Sequence, residues 1–236
     1  MPRRDLQRAM YEIGEPSVAQ RTALAALVGL WVALGWWLLL GGGLETAHGW
    51  FGWISGSSEL LRRIFLATAF TVYYIRILFT EFLFLKRGVS WSEVFTIAPW
   101  LLLIFLFLAI AGGTNPAFVG WTCAAGIILF LAGSWMNTSA EHARHVWTNR
   151  PENRGKLYTQ GLFRYTRHPN YLGDLILFSG LCLISGKWVT AAIPALMLAG
   201  FVFVNIPVLD SHLHDHYGAA FDEYAARTRK LFPFLY

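Results

Sequence analysis

Gly161-Leu-Phe-Arg-Tyr-Thr-Arg-His-Pro-Asn-Tyr-Leu-Gly-Asp174 is the stretch from which the rest of the chain is read. It follows the most basic loop of the protein and runs straight into an apolar segment. Arg164, Arg167, His168, Asn170, Tyr171 and Asp174 crowd into it, a dense set of donors and acceptors at a water–membrane boundary. Pro169 disfavours the right-handed helical conformation for His168, so the chain bends there. Pro169 then opens the next helix, where its missing N–H costs nothing. That helix start aims free backbone N–H groups, and the positive end of the helix dipole, back at the basic loop. Such a place suits the negative groups of a cofactor.

Outward from this stretch the chain is a series of apolar runs. It is 56% hydrophobic and only 14% charged, where soluble domains carry about 25% charged residues. Runs of membrane-spanning length cover residues 22–40, 64–85, 94–111, 118–136 and 188–208, with a shorter one at 171–184. The expected fold is therefore all-α: a polytopic integral membrane helical bundle of about six transmembrane helices, with a cytoplasmic C-terminal cofactor-binding cap. Ser185, Gly186 and Lys187 leave room only for a tight hairpin between the last two spans. Residues 1–21 read as a polar surface segment or short interfacial helix, residues 90–93 as a polar turn, and residues 112–116 as a turn. Residues 137–150 read as a polar helix with Glu141 and His145 at i,i+4, and residues 209–230 as an amphipathic tail. Gly41, Gly42 and Gly43 end the first span; they follow a helix and lack the GxGxxG spacing, so they are no phosphate loop. Two regions are expected: residues 1–136 shaping a substrate chamber, and residues 137–236 binding the cofactor. No cleavable signal peptide, internal repeat or low-complexity tract is evident. Cys123 and Cys182 both sit in apolar runs and read as core or lipid-facing residues.

The net charge is +5, and its placement at loop ends argues for membrane topology and an anionic ligand instead of nucleic acid. Most Lys and Arg residues fall on the side of the N-terminus, the basic loop and the tail, whereas Arg62, Arg63 and Lys187 fall on the other. Both termini are therefore expected in the cytoplasm.

Arg76 lies well inside the second span and Glu81 toward its inner end, a costly depth for charge that normally requires a partner. A structural ion pair and a substrate or proton-relay role are both open. Tyr73 and Tyr74 share that helix, and a Tyr–Glu pair suits proton delivery to a substrate; Tyr74, Glu81 and Asp174 are the catalytic candidates. Arg144, Arg150, Arg154, Lys156, Arg164 and Arg167 crowd one region, partly for topology alone. Arg164 and Arg167 stand out beside His168, Asn170 and Tyr171, because planar guanidinium groups match phosphates. His212, His214 and His216 resemble metal ligands, with Asp210 and Asp215 nearby, but no second cluster of matching strength exists, so no metal is expected.

Arg167-His-Pro-Asn-Tyr-Leu-Gly-Asp174 resembles the C-terminal motif of membrane-embedded sterol and steroid reductases that use NADPH. A relative of the motif, Arg-His-Pro-x-Tyr-x-Gly, occurs in isoprenylcysteine and phospholipid methyltransferases that use S-adenosylmethionine. The likeness covers roughly residues 137–236. The tail Tyr217-Gly-Ala-Ala-Phe-Asp-Glu-Tyr224 and the closing Pro233-Phe-Leu-Tyr236 are similar to the reductases as well. By that resemblance Arg144, Asn170, Tyr171, Tyr217 and Tyr224 match cofactor-contact positions, and Asp210 occupies an acidic position that accepts from ribose hydroxyls. The resemblance implies an NADPH-dependent membrane oxidoreductase that reduces a carbon–carbon double bond in a sterol, steroid or enoyl lipid. The alternatives are a methyltransferase using S-adenosylmethionine and a non-enzymatic lipid-binding protein. The partners implied are a lipid-like substrate and membrane lipids.

Overall fold

The computed structural model describes residues 17–52 and 58–236; the reading of residues 1–16 lies outside them. Among the described residues five helices are long and apolar enough to cross a membrane: α1 (Val18–Leu40), α3 (Leu60–Phe84), α4 (Trp91–Gly113), α5 (Trp121–Thr148) and α7 (Trp188–Tyr217). The sixth apolar helix, α6 (Pro169–Ser185), is shorter. Two further helices are short: α2 (Gly43–Phe51), which the sequence reading did not foresee, and α8 (Ala219–Arg227) in the tail. No strand forms among the described residues, only one isolated bridge between Thr166 and Arg229. The protein is thus a polytopic helical membrane bundle.

Several boundaries differ from the hydropathy reading for local reasons. Residues 90–93 are not a free turn but the start of α4. Ser90 Oγ accepts from the Glu93 N–H at 3.1 Å while Glu93 Oε2 accepts from the Ser90 N–H at 2.9 Å, a reciprocal capping box. The polar helix expected at residues 137–150 is the continuation of α5, so residues 136 and 137 are neighbouring positions inside one helix. Likewise α7 passes through the expected end at Val208 and stops at Tyr217, where Gly218 adopts φ 52. Only glycine takes that conformation without steric cost, so the amphipathic tail divides there into two helices.

Helices α1, α3 and α4 pack into the main core, where Phe70 and Phe105 stack at 4.6 Å beneath Leu66 and Leu108. The closest pairing is α5 on α6, and glycine makes it possible. A Cβ on Gly133 would lie 2.4 Å from the Leu177 backbone N and 2.5 Å from the Gly173 carbonyl; one on Gly180 would lie 2.5 Å from the Gly126 carbonyl. Small residues at a helix interface let backbones approach to this distance. Asn137 Nδ2 adds a bond of 3.0 Å to the Asn170 carbonyl at the head of α6.

The arginines read as outer-face topology signals also have structural work. Arg62 is 1% exposed and donates to the Ile184 carbonyl at 2.6 Å and the Ala117 carbonyl at 2.9 Å. Arg63 reaches the carbonyls of Leu39 and Gly113 and pairs with Glu45 at 3.0 Å. Between them they take up carbonyls orphaned at helix C-termini, those of Ile184, Leu39 and Gly113, while Ala117 lies in the loop before α5. At the opposite end Arg21 does the same for α3, donating to the carbonyls of Glu81, Leu85 and Arg87.

Candidate active site

Site geometry begins at the His168–Pro169 bend. Pro169 is the first residue of α6 and His168 its N-cap. The His168 backbone N–H donates to the Lys230 carbonyl at 3.2 Å and the Arg167 N–H to the Arg229 carbonyl at 2.8 Å. Two-residue pairing of this kind stitches the tail to the loop. Thr166 Oγ1 adds a bond to the Lys230 carbonyl at 3.0 Å.

Arg167 is buried, and both of its terminal nitrogens are engaged while its Nε has no partner. Its Nη2 lies 2.7 Å from Asp210 Oδ2, and Nη1 donates to the carbonyls of Thr228 at 3.0 Å and Ala225 at 3.2 Å. Its guanidinium also lies over the Phe221 ring at 5.8 Å. The residue ties loop, α7 and tail together, and its terminal nitrogens are committed to protein acceptors. His168 Nε2 sits 3.0 Å from the other oxygen, Asp210 Oδ1. An ionised carboxylate only accepts, so a neutral His168 carries its proton on Nε2. Burial pushes the His168 pKa below the ordinary imidazole range, although the Asp210 hydrogen bond pulls the other way. The imidazole stacks on Tyr171 at 5.3 Å, and Tyr171 in turn on Phe201 of α7 at 4.6 Å. Tyr224 donates to the Phe163 carbonyl at 2.6 Å, and burial raises its pKa.

A cavity of about 110 Å³ opens under this seam. Arg144, Arg167, His168, Asn170, Tyr217 and Tyr224 all face it, so six of the nine cofactor candidates converge. Asp210 and Tyr171 lie just behind, held by the contacts above. Arg164 does not join them; it lines a neighbouring cleft of about 600 Å³ with Arg227 and Tyr224. A third cleft of about 420 Å³ carries Lys156, His216 and Arg227. The three share Lys156, Tyr217, Tyr224 and Arg227 pairwise along the seam between loop and tail. The cavity alone is smaller than the 300–1,000 Å³ usual for a ligand site, whereas the seam as a whole suits an elongated, phosphate-bearing ligand. Its donor set of guanidinium and ammonium groups fits that chemistry.

Two residues that sequence reasoning missed complete the wall. Glu141, buried, accepts from Asn170 Nδ2 at 3.1 Å and pairs with Arg144; it does not pair with His145 as the spacing suggested. Lys156, read as a topology charge, faces the cavity. The Glu141–Arg144 spacing of three was the available signal.

The catalytic candidates scatter. Asp174 pairs with Arg76 at 2.9 Å, and Arg76 lies over the Tyr73 ring at 4.8 Å. Tyr73 itself is wedged edge-on between Phe105 and Phe178. Tyr74 instead faces α1, where a Cβ on Gly29 would meet its hydroxyl at 2.9 Å. Glu81 sits in the π turn that ends α3, beside the Arg21 clamp. Asp174 therefore stands with Tyr73 and Arg76, not with Tyr74 and Glu81. His212 and His216 stack at 6.3 Å, and His214 Nδ1 lies 2.8 Å from Asp222 Oδ1. No three metal-ligating side chains converge among the described residues.

A family described as protein of unknown function (DUF1295) matches residues 86–228. A probable O-methyltransferase, ustE, of Ustilaginoidea virens is 38% identical over 90 residues, 38% of this chain and 32% of that protein. Protein-S-isoprenylcysteine O-methyltransferase B of Arabidopsis thaliana is 27% identical over 120 residues, 49% of this chain and 61% of that protein. The 3-oxo-5-alpha-steroid 4-dehydrogenase 2 of Sus scrofa is 28% identical over 111 residues, 47% of this chain and 42% of that protein. Each match spans less than two thirds of the relative's own length.

Proposed function

Because the chain belongs to the DUF1295 family, which covers more than half of it, and has relatives among both membrane reductases and methyltransferases, we propose that it is an NADPH-dependent reductase of a carbon–carbon double bond in a hydrophobic, lipid-like substrate. One observation carries this choice: half-buried Asp174 forms an acid–base cluster with buried Arg76 and Tyr73, one helical turn below Asn170 on α6. Residues i and i+4 share a helix face, so the cluster and the cavity lie along one line into the bundle. Reduction of a polarised double bond needs a proton as well as a hydride, and a phenol over a guanidinium–carboxylate pair is a suitable source. Methyl transfer needs only alignment of a nucleophile.

NADPH, when bound, supplies the hydride. Arg144, Lys156, Arg164 and Arg227 along the seam would hold its phosphates, Asn170 would offer its amide at the cavity wall, and Asp210 keeps His168 in one tautomer. Arg76 orients Asp174 and Tyr73 so that the proton leaves from the phenol side, within a packed aromatic wall that excludes water. With the basic face in the cytoplasm, the cofactor enters from water and the substrate from the membrane.

A second reading, methyl transfer from S-adenosylmethionine, is favoured by the 38% identity to a probable O-methyltransferase. Thermal-shift titration of detergent-purified protein separates the two. A ligand at about 100 times its dissociation constant stabilises by roughly 2.7 kcal/mol. Saturable NADPH stabilisation, retained in Tyr73→Phe while turnover of an enone lipid is lost, is the expected result. Saturation by S-adenosylmethionine with none by NADPH overturns the reductase reading.

A further inference from the structure

Away from the cofactor seam, α7 carries two apolar grooves on its membrane-facing side. One, of about 400 Å³, runs between α6 and α7 beside Leu172, Leu175, Ile176 and Pro194. The other, of about 420 Å³, follows α7 past Ala199, Val202 and Phe203 to Tyr236. They share three walls, Ala195, Leu198 and Phe232, so they fork around Phe232. Residues 172–179 and 195–203, at 1.5 Å per residue, make each groove about 10–12 Å long, most of the depth of one hydrocarbon leaflet, which is about 15 Å.

A cation stands at the mouth. Lys230 Nζ lies 5.1 Å from the centroid of the Tyr236 ring, a cation–π contact that holds the ammonium beside the second groove. Its backbone is fixed by the His168 bond and by the bond from the Leu231 N–H to a main-chain oxygen of the last residue, Tyr236, at 2.6 Å. Phe234 and Leu235 are each 83% exposed next to this charge, and Phe234 takes φ 69, a conformation strained for a bulky side chain. Apolar side chains turned outward beside lysine and arginine suit a lipid interface and oppose a purely aqueous one. The groove face of α6 is opposite the face that carries Asp174, so this is not the reaction chamber.

We propose that the forked grooves and Lys230 form a binding site for a diacyl glycerophospholipid with a negatively charged headgroup. One acyl chain lies in each groove astride Phe232, and the phosphate faces the Lys230 ammonium. The lipid pins residues 229–236 to α7. Bulk lipid fills any groove, so the mark of a site is headgroup selectivity coupled to the fork.

The test uses the full chain, delipidated in detergent, exposed to mixed micelles of phosphatidylglycerol or phosphatidylcholine and read by native mass spectrometry without cofactor. Because no cofactor is present, the outcome is independent of which one the seam takes. Retention of phosphatidylglycerol about fivefold above phosphatidylcholine is expected, the factor for one basic side chain near an anionic surface. Lys230→Gln should erase that preference. Ala195→Trp, which fills the shared wall, should abolish retention of both lipids. Val202→Trp, plugging only the second groove, should leave a single-chain lysolipid bound but not the diacyl form; it keeps the test open should Ala195→Trp not fold. Equal retention of the two lipids by the wild-type protein, or diacyl retention unchanged in Val202→Trp, overturns the site. So does displacement by millimolar inorganic phosphate, which would mark a simple anion site.

Discussion

Arg167 shows how far a residue's chemistry is legible before its neighbours are known. Its place beside His168 and a helix start marked it as important, and guanidinium chemistry suggested phosphate. What linear spacing does not show is that Asp210 and the carbonyls of Ala225 and Thr228 arrive from far along the chain to claim its donors. Removing one partner of a buried charge pair costs about 3–5 kcal/mol. Arg167→Ala should therefore destabilise the protein by about that much in chemical unfolding in detergent. Arg167→Lys should recover little, since an ammonium lacks the planar fork. Arg164→Ala, by contrast, should leave stability near wild type and weaken NADPH about ten- to a hundredfold, the cost of one charged hydrogen bond; unchanged NADPH affinity would remove Arg164 from the site. His168 makes a pH prediction. Burial depresses its folded-state pKa below the ordinary value of 6.5, so the unfolded chain binds the proton more readily. Its contribution is intact above pH 6.5 and is lost as pH falls from there toward the folded pKa. Thermal stability of wild type should drop between pH 7 and pH 5 more steeply than that of His168→Gln. Parallel curves would assign the acid limit to other groups.

At the scale of elements, hydropathy located every long apolar helix but not where the helices stop. Hydropathy falls when a helix leaves the membrane, while its backbone bonds continue. For that reason α5 runs on to Thr148 and α7 to Tyr217 through sequence that reads as separate polar segments. Those extensions matter, since Asn137, Glu141, Arg144 and Asp210 all lie near them or on them. The α5–α6 contact was not foreseen: glycines spaced seven apart, at 126 and 133 and at 173 and 180, carry no signal until the two helices are seen to face each other. Gly133→Leu should force them apart, and overpacking of this kind costs about 1–3 kcal/mol or more. A melting temperature equal to wild type would show that the interface yields. Gly42→Ala is a contrasting control: nothing lies within 4 Å, and only its φ of 79 opposes the change, so the cost should stay near 1 kcal/mol.

For the whole molecule, composition and the Lys/Arg pattern pointed to a polytopic bundle, and the helices agree. The side on which the termini lie is a further prediction. A reporter fused after Tyr236 should read out in the cytoplasm; readout on the outer face would reverse the orientation and move the seam away from the cofactor pool. The glycine contacts between α5 and α6 have a mechanical consequence. With backbone against backbone there is no layer of side chains to slide or repack, so the two helices move as one piece. That piece bears Glu141, Arg144, Asn170 and Asp174, one whole wall of the site. The facing wall includes Tyr224 of α8, which is attached through Gly218 and followed by Arg229 and Lys230, whose carbonyls accept from residues 166–168. The site is a jaw with one fixed and one hinged side. Opening and closing for a ligand must be carried by the tail, whose amide protons should exchange with solvent well ahead of those in the α5–α6 pair.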